Sequence, residues 1–370
     1  MPYLEFLNIS IAALAGCTPT PVQTLEAVKL SIPDKVIAFQ KLTGVKERHI
    51  SLSRQTAVDL GCSAAKRAMD SIGWGPESLD GIIFLSQTPD FNAGTGNSFL
   101  AHYILGLRNN AFAFDIPLAC SSFPYGLSVA ASLLQQQHIR RLLVISGDSQ
   151  WHFYPDGNPV AYPNSAFMFG ESATALLLER DENAKPIIIS LNTDGSGYKY
   201  LYNPLGGVRN AWISMKNILL PNGDIFTSSG KFGYMDGIEI MNFSITTVVD
   251  SIREFLQTHA VSFDDYDGLV LHQANLKIVK TIAKRLGVGL EKVPLSLDHY
   301  GNTSGASTPF TMVTAYAGQD REELALLCCA FGTGLSWGIA SLTVRPKCIV
   351  PVFCSDDRFV EADAKPAPQP

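Results

Sequence analysis

The sequence predicts an α/β protein built from two similar halves, and three observations carry that expectation. Apolar strand-like runs alternate with amphipathic helical stretches. Hydrophobic residues make up 46% of the 370 residues and charged residues only 17%, a balance that argues for extensive buried surface rather than disorder. The order of elements also recurs. A helix and short loop precede Asp80-Gly81-Ile82-Ile83-Phe84 in the first half, and the same context precedes Asp267-Gly268-Leu269-Val270-Leu271 in the second.

Taken along the chain, the run Phe6 to Cys17 comes first. Its end, Leu14-Ala15-Gly16-Cys17, resembles a lipoprotein cleavage signal, but Met1 to Glu5 hold no Lys or Arg, which a signal peptide needs. The run is therefore expected to be a first β-strand. Residues 55–72 carry Ala57, Leu60, Ala64, Ala68 and Ile72 on one helical face, and Gly73 and Gly75 stop the helix. Gly81 to Leu85 reads as a buried strand, Ala111 to Ile116 as another, Ser128 to Gln137 as a helix and Arg141 to Ser146 as a strand. In the second half a helix is expected at 243–258, a polar loop at 301–305, a helix at about 306–317 and a strand at 324–330. The expected divisions are a first half at 1–180, a second at 181–346, and a surface extension at 347–370. Pro351, Pro366, Pro368 and Pro370 punctuate that extension, and no strand or helix period continues past about Phe353.

Several function classes are disfavoured at once. The formal net charge is -6 with no long basic run, which argues against nucleic acid as a partner. No segment is long and apolar enough to span a bilayer. The seven cysteines include no CxxC pair, a pattern expected of reduced thiols in a cytosolic compartment.

Cys120 is the cysteine whose neighbours point to chemistry. In Phe114-Asp115-Ile116-Pro117-Leu118-Ala119-Cys120-Ser121-Ser122-Phe123-Pro124-Tyr125-Gly126 a strand ends, Pro117 turns the chain, and Ser121 or Ser122 can cap a helix whose first turn suits Pro124. A thiol at a helix N-terminus is expected to ionise more readily and to attack a thioester carbonyl. A buried structural cysteine is the competing reading; it fits Cys62, Cys328 and Cys329, which lie on apolar patterns, better than Cys120. His272 ends a buried strand in Leu269-Val270-Leu271-His272-Gln273-Ala274-Asn275, the edge of an α/β sheet where ligands gather. There it can act as a neutral donor or a base, although a lone histidine is more often a satisfied core group. Asn302 offers an amide donor in the loop Tyr300-Gly301-Asn302-Thr303-Ser304-Gly305, which also reads as a plain helix-capping loop. The glycines of Ala330-Phe331-Gly332-Thr333-Gly334-Leu335-Ser336-Trp337-Gly338 allow backbone N–H groups to approach a ligand closely.

Together these segments resemble the β-ketoacyl-acyl carrier protein synthase III family of the thiolase superfamily, from about residue 5 to 345. Asp115 to Tyr125 resembles that family's Cys motif, Leu271 to Asn275 its His motif, Gly301 to Ser304 its Asn motif and Phe331 to Gly338 its closing Gly-rich motif. Thr43-Gly44-Val45-Lys46-Glu47-Arg48 and Met235-Asp236-Gly237 are further matches. The resemblance implies a thiolase-like five-layer αβαβα fold, a cytoplasmic homodimer and a role in fatty acid biosynthesis. It implies that Cys120 is acylated from an acyl thioester, with the backbone N–H groups of Cys120 and Thr333 as the oxyanion hole. His272 and Asn302 would then support decarboxylative condensation with a malonyl thioester, without metal or redox cofactor. Acyl carrier protein is the implied partner.

The sequence departs from the family pattern at several places. Ser122 stands where Gly is common, Phe169-Gly170-Glu171-Ser172 where Phe-Gly-Asp-Gly is common, and Leu271 where Pro often precedes the histidine. Ala38 and Leu42 fall where a Trp and an Arg clamp coenzyme A in some members, which favours a carrier protein over coenzyme A as donor. Lys277, Lys280, Lys284 and Arg285 are its expected docking face, although such charges are usually only a solvated helix surface. Near Gly94 falls the position of a bulky family residue that closes the acyl tunnel, for which Phe91 could substitute. A degradative thiolase would need a second cysteine at the position of Ala330, and Cys329 is one residue out of register. Two alternatives remain: an acyltransferase serving a hydroxyl or amine acceptor without decarboxylation, and a non-catalytic partner subunit.

Overall fold

The computed structural model describes residues 2–28, 34–91, 94–149, 167–204, 208–209, 217–219, 223, 225–227 and 234–360. Pro366, Pro368 and Pro370 lie outside the described residues. Two mixed sheets organise the chain. The first runs, edge to edge, Ile349–Ser355, Ile9–Pro19, Ala173–Arg180, Arg141–Gly147, Gly81–Leu85 and Phe112–Ile116. The second runs Leu4–Phe6, Ile187–Thr193, Ser336–Val344, Leu324–Gly332 and Gly268–Leu271.

The recurrence seen in the sequence is a recurrence of pairing. Gly81–Leu85 lies parallel to Arg141–Gly147, which is antiparallel to Ala173–Arg180, which is antiparallel to Ile9–Pro19. Gly268–Leu271, Leu324–Gly332, Ser336–Val344 and Ile187–Thr193 repeat that pattern. Strand alternation then sorts side chains to two faces. Ile83, Leu85, Leu142 and Val144 face a central core shared with Val270, Leu326 and Cys328. Ile82, Phe84, Leu143 and Ile145 face an outer core beneath the Ala57–Ile72 helix. The helices Ser122–Leu134 and Ser307–Tyr316 fill the centre through Phe123, Leu127, Met312 and Val313. Thr247–Thr258 and Leu276–Leu286 cover the far side of the second sheet through Val248, Ile252, Val279 and Ile282. The layers are thus helix, sheet, helix, sheet, helix, the thiolase-like arrangement.

Local chemistry sets the boundaries. The first long helix begins at Ala57, not residue 55, because Thr56 and Asp59 form a reciprocal capping box; it ends where Gly73 adopts φ 68°. The central helix starts at Ser122, six residues before the expected Ser128. The single helix expected at 243–258 is two helices, Gly237–Ile245 and Thr247–Thr258. Asp236 caps the first by accepting from Ile238 N and Glu239 N. Thr246 Oγ1 bonds back to Asn242 O at the break, a local side-chain competitor for the helical ladder. The run Ile9–Pro19 is a buried strand inside the first sheet, as the lack of Lys or Arg before it implied. Among the described residues no helix is long and apolar enough to cross a membrane.

The termini hold one correction. The expected surface extension at 347–370 begins as a strand: Ile349–Ser355 pairs parallel with Ile9–Pro19. Pro351 misled the reading because it sits on a sheet edge, where a missing N–H costs little, at a register shift between Val350 and Phe353. Beyond the strand, Phe359 N donates to Asp59 Oδ1 and Ser63 Oγ to Asp357 Oδ2, so the chain lies along the first helix. Leu4–Phe6 crosses the other way and pairs with Ile187–Ile189 of the second sheet.

Candidate active site

Cys120 occupies the turn between the Phe112–Ile116 strand and the Ser122–Leu134 helix. Leu118 N bonds Ile116 O and Ser122 N bonds Ala119 O, which tightens the chain around it. Ser121 sits at the cap position but makes no capping bond. Its hydroxyl instead pairs with Ser336 Oγ at 2.7 Å, and Ser336 Oγ donates to Thr333 O at 2.6 Å. The Cys120 turn is thereby tied to the Gly-rich loop. Gly332 packs directly on it: a Cβ there would lie 2.6 Å from Cys120 Cβ. Glycine at 332 is required by this close approach.

His272 follows the Gly268–Leu271 strand, and its backbone N–H extends the parallel ladder to Cys329 O at 2.8 Å. The ring is buried, and it stands edge-on to Phe331, 5.4 Å between centroids at 88°. Nδ1 has no hydrogen-bond partner among the described residues. Phe331 therefore holds His272 while its neighbour Gly332 abuts Cys120. The rest of that motif is structural. Gln273 accepts from Ser296 N and donates to Leu271 O, and Asn275 caps the next helix by accepting from Ile278 N.

Asn302 is buried and held at both backbone groups: its N–H donates to Met168 O, and its carbonyl accepts from Gly170 N. Gly170 and Gly301, the latter at φ 68°, permit that close crossing; a Cβ on Gly170 would lie 1.9 Å from Tyr300 O. Asn302 Oδ1 accepts from Ser304 N at 2.9 Å, which fixes the amide and turns Nδ2 away. Ser304 Oγ lies 3.9 Å from Cys120 Sγ. All three predicted side chains are thus linked through immediate neighbours.

Burial dominates the electrostatics. The Cys120 thiol is pushed up to about 12, first by burial and then by the carboxylate of Asp148, with the Ser304 hydroxyl acting in the opposite sense. The helix start was expected to favour thiolate; desolvation outweighs it in the free protein. Burial draws the His272 imidazole down to about 3, so the ring is neutral at neutral pH. Asp148 accepts from Ser86 Oγ, Gln87 N and Thr88 Oγ1 through Oδ1, and from Gly305 N through Oδ2. Its buried charge is satisfied entirely by neutral donors. Among the described residues no group of three or more His, Cys, Asp or Glu side chains is placed to hold a metal ion.

Comparison with known proteins then decides the family. Residues 114–197 match the family described as 3-oxoacyl-[acyl-carrier-protein (ACP)] synthase III, and residues 256–344 match its C-terminal part. The β-ketoacyl-[acyl-carrier-protein] synthase III of Caldanaerobacter subterraneus is 34% identical over 299 residues, 80% of this chain and 85% of that one. The Prochlorococcus marinus protein of the same description is 30% identical across 90% of this chain and 95% of its own. A crystal structure of the Burkholderia xenovorans 3-oxoacyl-(acyl-carrier protein) synthase superposes with a TM-score of 0.86 at 29% identity, covering 96% of this chain and 99% of that one. The chain belongs to the β-ketoacyl-acyl carrier protein synthase III family. It is an acyltransferase of the condensing-enzyme class.

The remaining predicted residues of this synthase are scattered. Lys277, Lys280 and Lys284 form an exposed stripe on the Leu276–Leu286 helix. Arg285 is exposed but turns away from that stripe, and its Nη1 donates to Ile245 O at the end of the neighbouring helix. Phe91 and Gly94 lie exposed on the loop before the Asn97–Leu105 helix, where a Cβ on Gly94 would meet nothing. Ala38 and Leu42 are exposed too. Thr333 is half-buried in the turn after Gly332. Cys329 faces the core on the far side of the second sheet, and Cys328 faces the central core, where its Sγ lies 3.9 Å from Met312 Sδ. Sequence reasoning missed Asp148, Ser304 and the Met168–Gly170 support of Asn302. For the last, Phe169-Gly170 was visible as a family match, but nothing local shows which backbone it crosses.

Proposed function

We propose that Cys120 accepts an acyl group from an acyl thioester and that the synthase joins it to the carbanion left when a malonyl thioester loses carbon dioxide. The observation that carries this reading is the junction at Cys120. Gly332 packs on its Cβ and Ser304 approaches its Sγ; Phe331, next to Gly332, stands against His272, and the Ser304 N–H holds the Asn302 amide. In the first stage the Cys120 sulfur attacks the thioester carbonyl, and the N–H groups of Cys120 and Thr333 receive the developing oxyanion. The carrier thiol leaves with the proton that Cys120 lost. In the second stage the neutral His272 ring and the Asn302 amide donate hydrogen bonds to the malonyl thioester oxygen as enolate charge forms. The carbanion attacks the acyl group, Cys120 is released, and a β-ketoacyl thioester departs. These steps call for no metal or redox group.

An acyl carrier protein is the favoured donor. Small or apolar Ala38 and Leu42 offer coenzyme A neither a stacking ring nor a guanidinium. Lys277, Lys280 and Lys284, with Arg285 at the margin, present positive charge to an acidic carrier. The edge strand Phe112–Ile116 is the face for a second copy, giving a homodimer. Phe91 and Gly94, exposed on one chain, would line an acyl pocket only where another chain covers them. The reading places the enzyme in the cytoplasm, in fatty acid or related acyl-chain biosynthesis, as two functional halves, 1–180 and 181–346.

The test is intact-mass measurement after acyl-carrier and acyl-coenzyme A donors are offered in parallel, followed by malonyl-dependent carbon dioxide release. Acylation of the wild type and none of Cys120→Ala is expected, with the carrier the faster donor. Acylation that survives Cys120→Ala overturns the site. An acylated enzyme that releases no carbon dioxide would instead serve a hydroxyl or amine acceptor.

A further inference from the structure

Ser304 stands out on two independent grounds. It is buried, yet it holds φ at 52°, a left-handed conformation uncommon outside glycine. Its hydroxyl is also the group that reaches Cys120 Sγ, at 3.9 Å. Its N–H is occupied by Asn302 Oδ1, so the backbone is fixed and the hydroxyl is left aimed at the sulfur. The left-handed backbone is what produces this aim, since the same residue must satisfy Asn302 with its N–H and meet Cys120 with its side chain.

We propose that Ser304 is a further catalytic residue, whose hydroxyl donates a hydrogen bond to the Cys120 thiolate as it forms. This rests on Cys120 being the nucleophile. A thiolate that loses part of its hydration needs a replacement donor, and desolvation opposes its formation at this partly buried position. The Ser304 O–H supplies a charge-assisted donor to the anion. The exchange balances without another reactant: the Cys120–acyl bond forms, the carrier sulfur–acyl bond breaks, and the Cys120 proton ends on the carrier thiol. Asn302 has a second role in this scheme, because it orients Ser304 as well as facing substrate.

Two substitutions separate the hydroxyl from the strained backbone. Ser304→Gly removes the hydroxyl and accepts φ 52° freely, whereas Ser304→Ala removes the hydroxyl and keeps the strain. The readout is the rate of Cys120 carbamidomethylation by iodoacetamide against pH, with the modified cysteine identified by peptide mapping because Cys354 is exposed. Below the thiol midpoint this rate follows the thiolate fraction. Losing the donor raises the midpoint by about one pH unit, so both variants should react roughly tenfold more slowly at pH 8. An unchanged rate in Ser304→Gly overturns the proposal, including the case in which Ser304→Ala alone is slow, which assigns the effect to backbone strain. A Cys120 that alkylates normally but is never acylated by a thioester would count against the proposed function instead.

Discussion

Cys120 and His272 each lie past the end of a strand in a different sheet, Cys120 against Gly332 and Ser304 of the second half and His272 edge-on to Phe331. Burial acts on both and keeps both neutral, lifting the thiol to about 12 and drawing the imidazole to about 3. The consequences are opposite. In the proposed mechanism the neutral imidazole donates a hydrogen bond to the enolate oxygen, so burial would leave His272 in its working form before substrate arrives. A neutral thiol is a poor nucleophile, so in the same mechanism Cys120 would depend on groups that stabilise its anion. The same desolvation therefore prepares one residue and restrains the other, and the two should respond differently to every change in charge or pH.

The widest separation comes from removing the imidazole. His272→Ala should still form the acyl-enzyme at Cys120, because among the described residues the hydrogen-bond contact to its sulfur comes from Ser304. Malonyl-dependent carbon dioxide release should fall by about 100- to 1000-fold, the usual cost of losing one donor to a developing oxyanion. Single-turnover acylation followed by mass, beside carbon dioxide release, reads the two stages apart. An equal loss in both would make His272 the base for Cys120 and erase the contrast.

The parts of this contrast that were legible in the sequence are those written into neighbouring residues. Pro117, the serines and Pro124 mark a strand-to-helix turn at Cys120, and an unbroken apolar run marks the strand before His272. Gly332 was legible as a close approach, though not what it approaches. Asp148 was not legible, because Ser146-Gly147-Asp148 resembles any strand end; only the fold brings Ser86, Gln87, Thr88 and Gly305 around it. Ser304 read as a capping residue because a positive φ in a serine leaves no mark in the sequence. Pro351 hid an edge strand for the related reason that proline's cost depends on which side of the strand is paired.

Stability against pH tests the His272 side. In the unfolded chain this ring takes a proton near its ordinary 6.5, while the folded protein keeps it neutral down to about 3. Between those values the unfolded state binds more protons, so stability falls as pH falls, by about 1.4 kcal/mol per unit well below 6.5. Asp59, whose carboxyl burial raises, acts with the opposite sign and is unchanged by a substitution at 272. Urea unfolding of wild type and His272→Gln should therefore give curves whose separation changes by roughly that slope between pH 6 and pH 4. Parallel curves would mean that the folded protein protonates His272 at an ordinary pH.

The smallest effect belongs to the restraint on Cys120. Asp148→Asn removes a negative charge that opposes the thiolate, but burial, the larger cause, stays in place. The asparagine can keep its carbonyl toward Ser86 Oγ and Gln87 N, at the cost of the bond from Gly305 N. Cys120 alkylation at pH 8 should rise roughly threefold, the size of a half-unit shift. The sign is what matters, since it is opposite to that expected for Ser304→Gly in the same assay. A fall in Asp148→Asn would mean that the carboxylate serves Cys120 by holding the Gly305 loop, and that its position outweighs its charge.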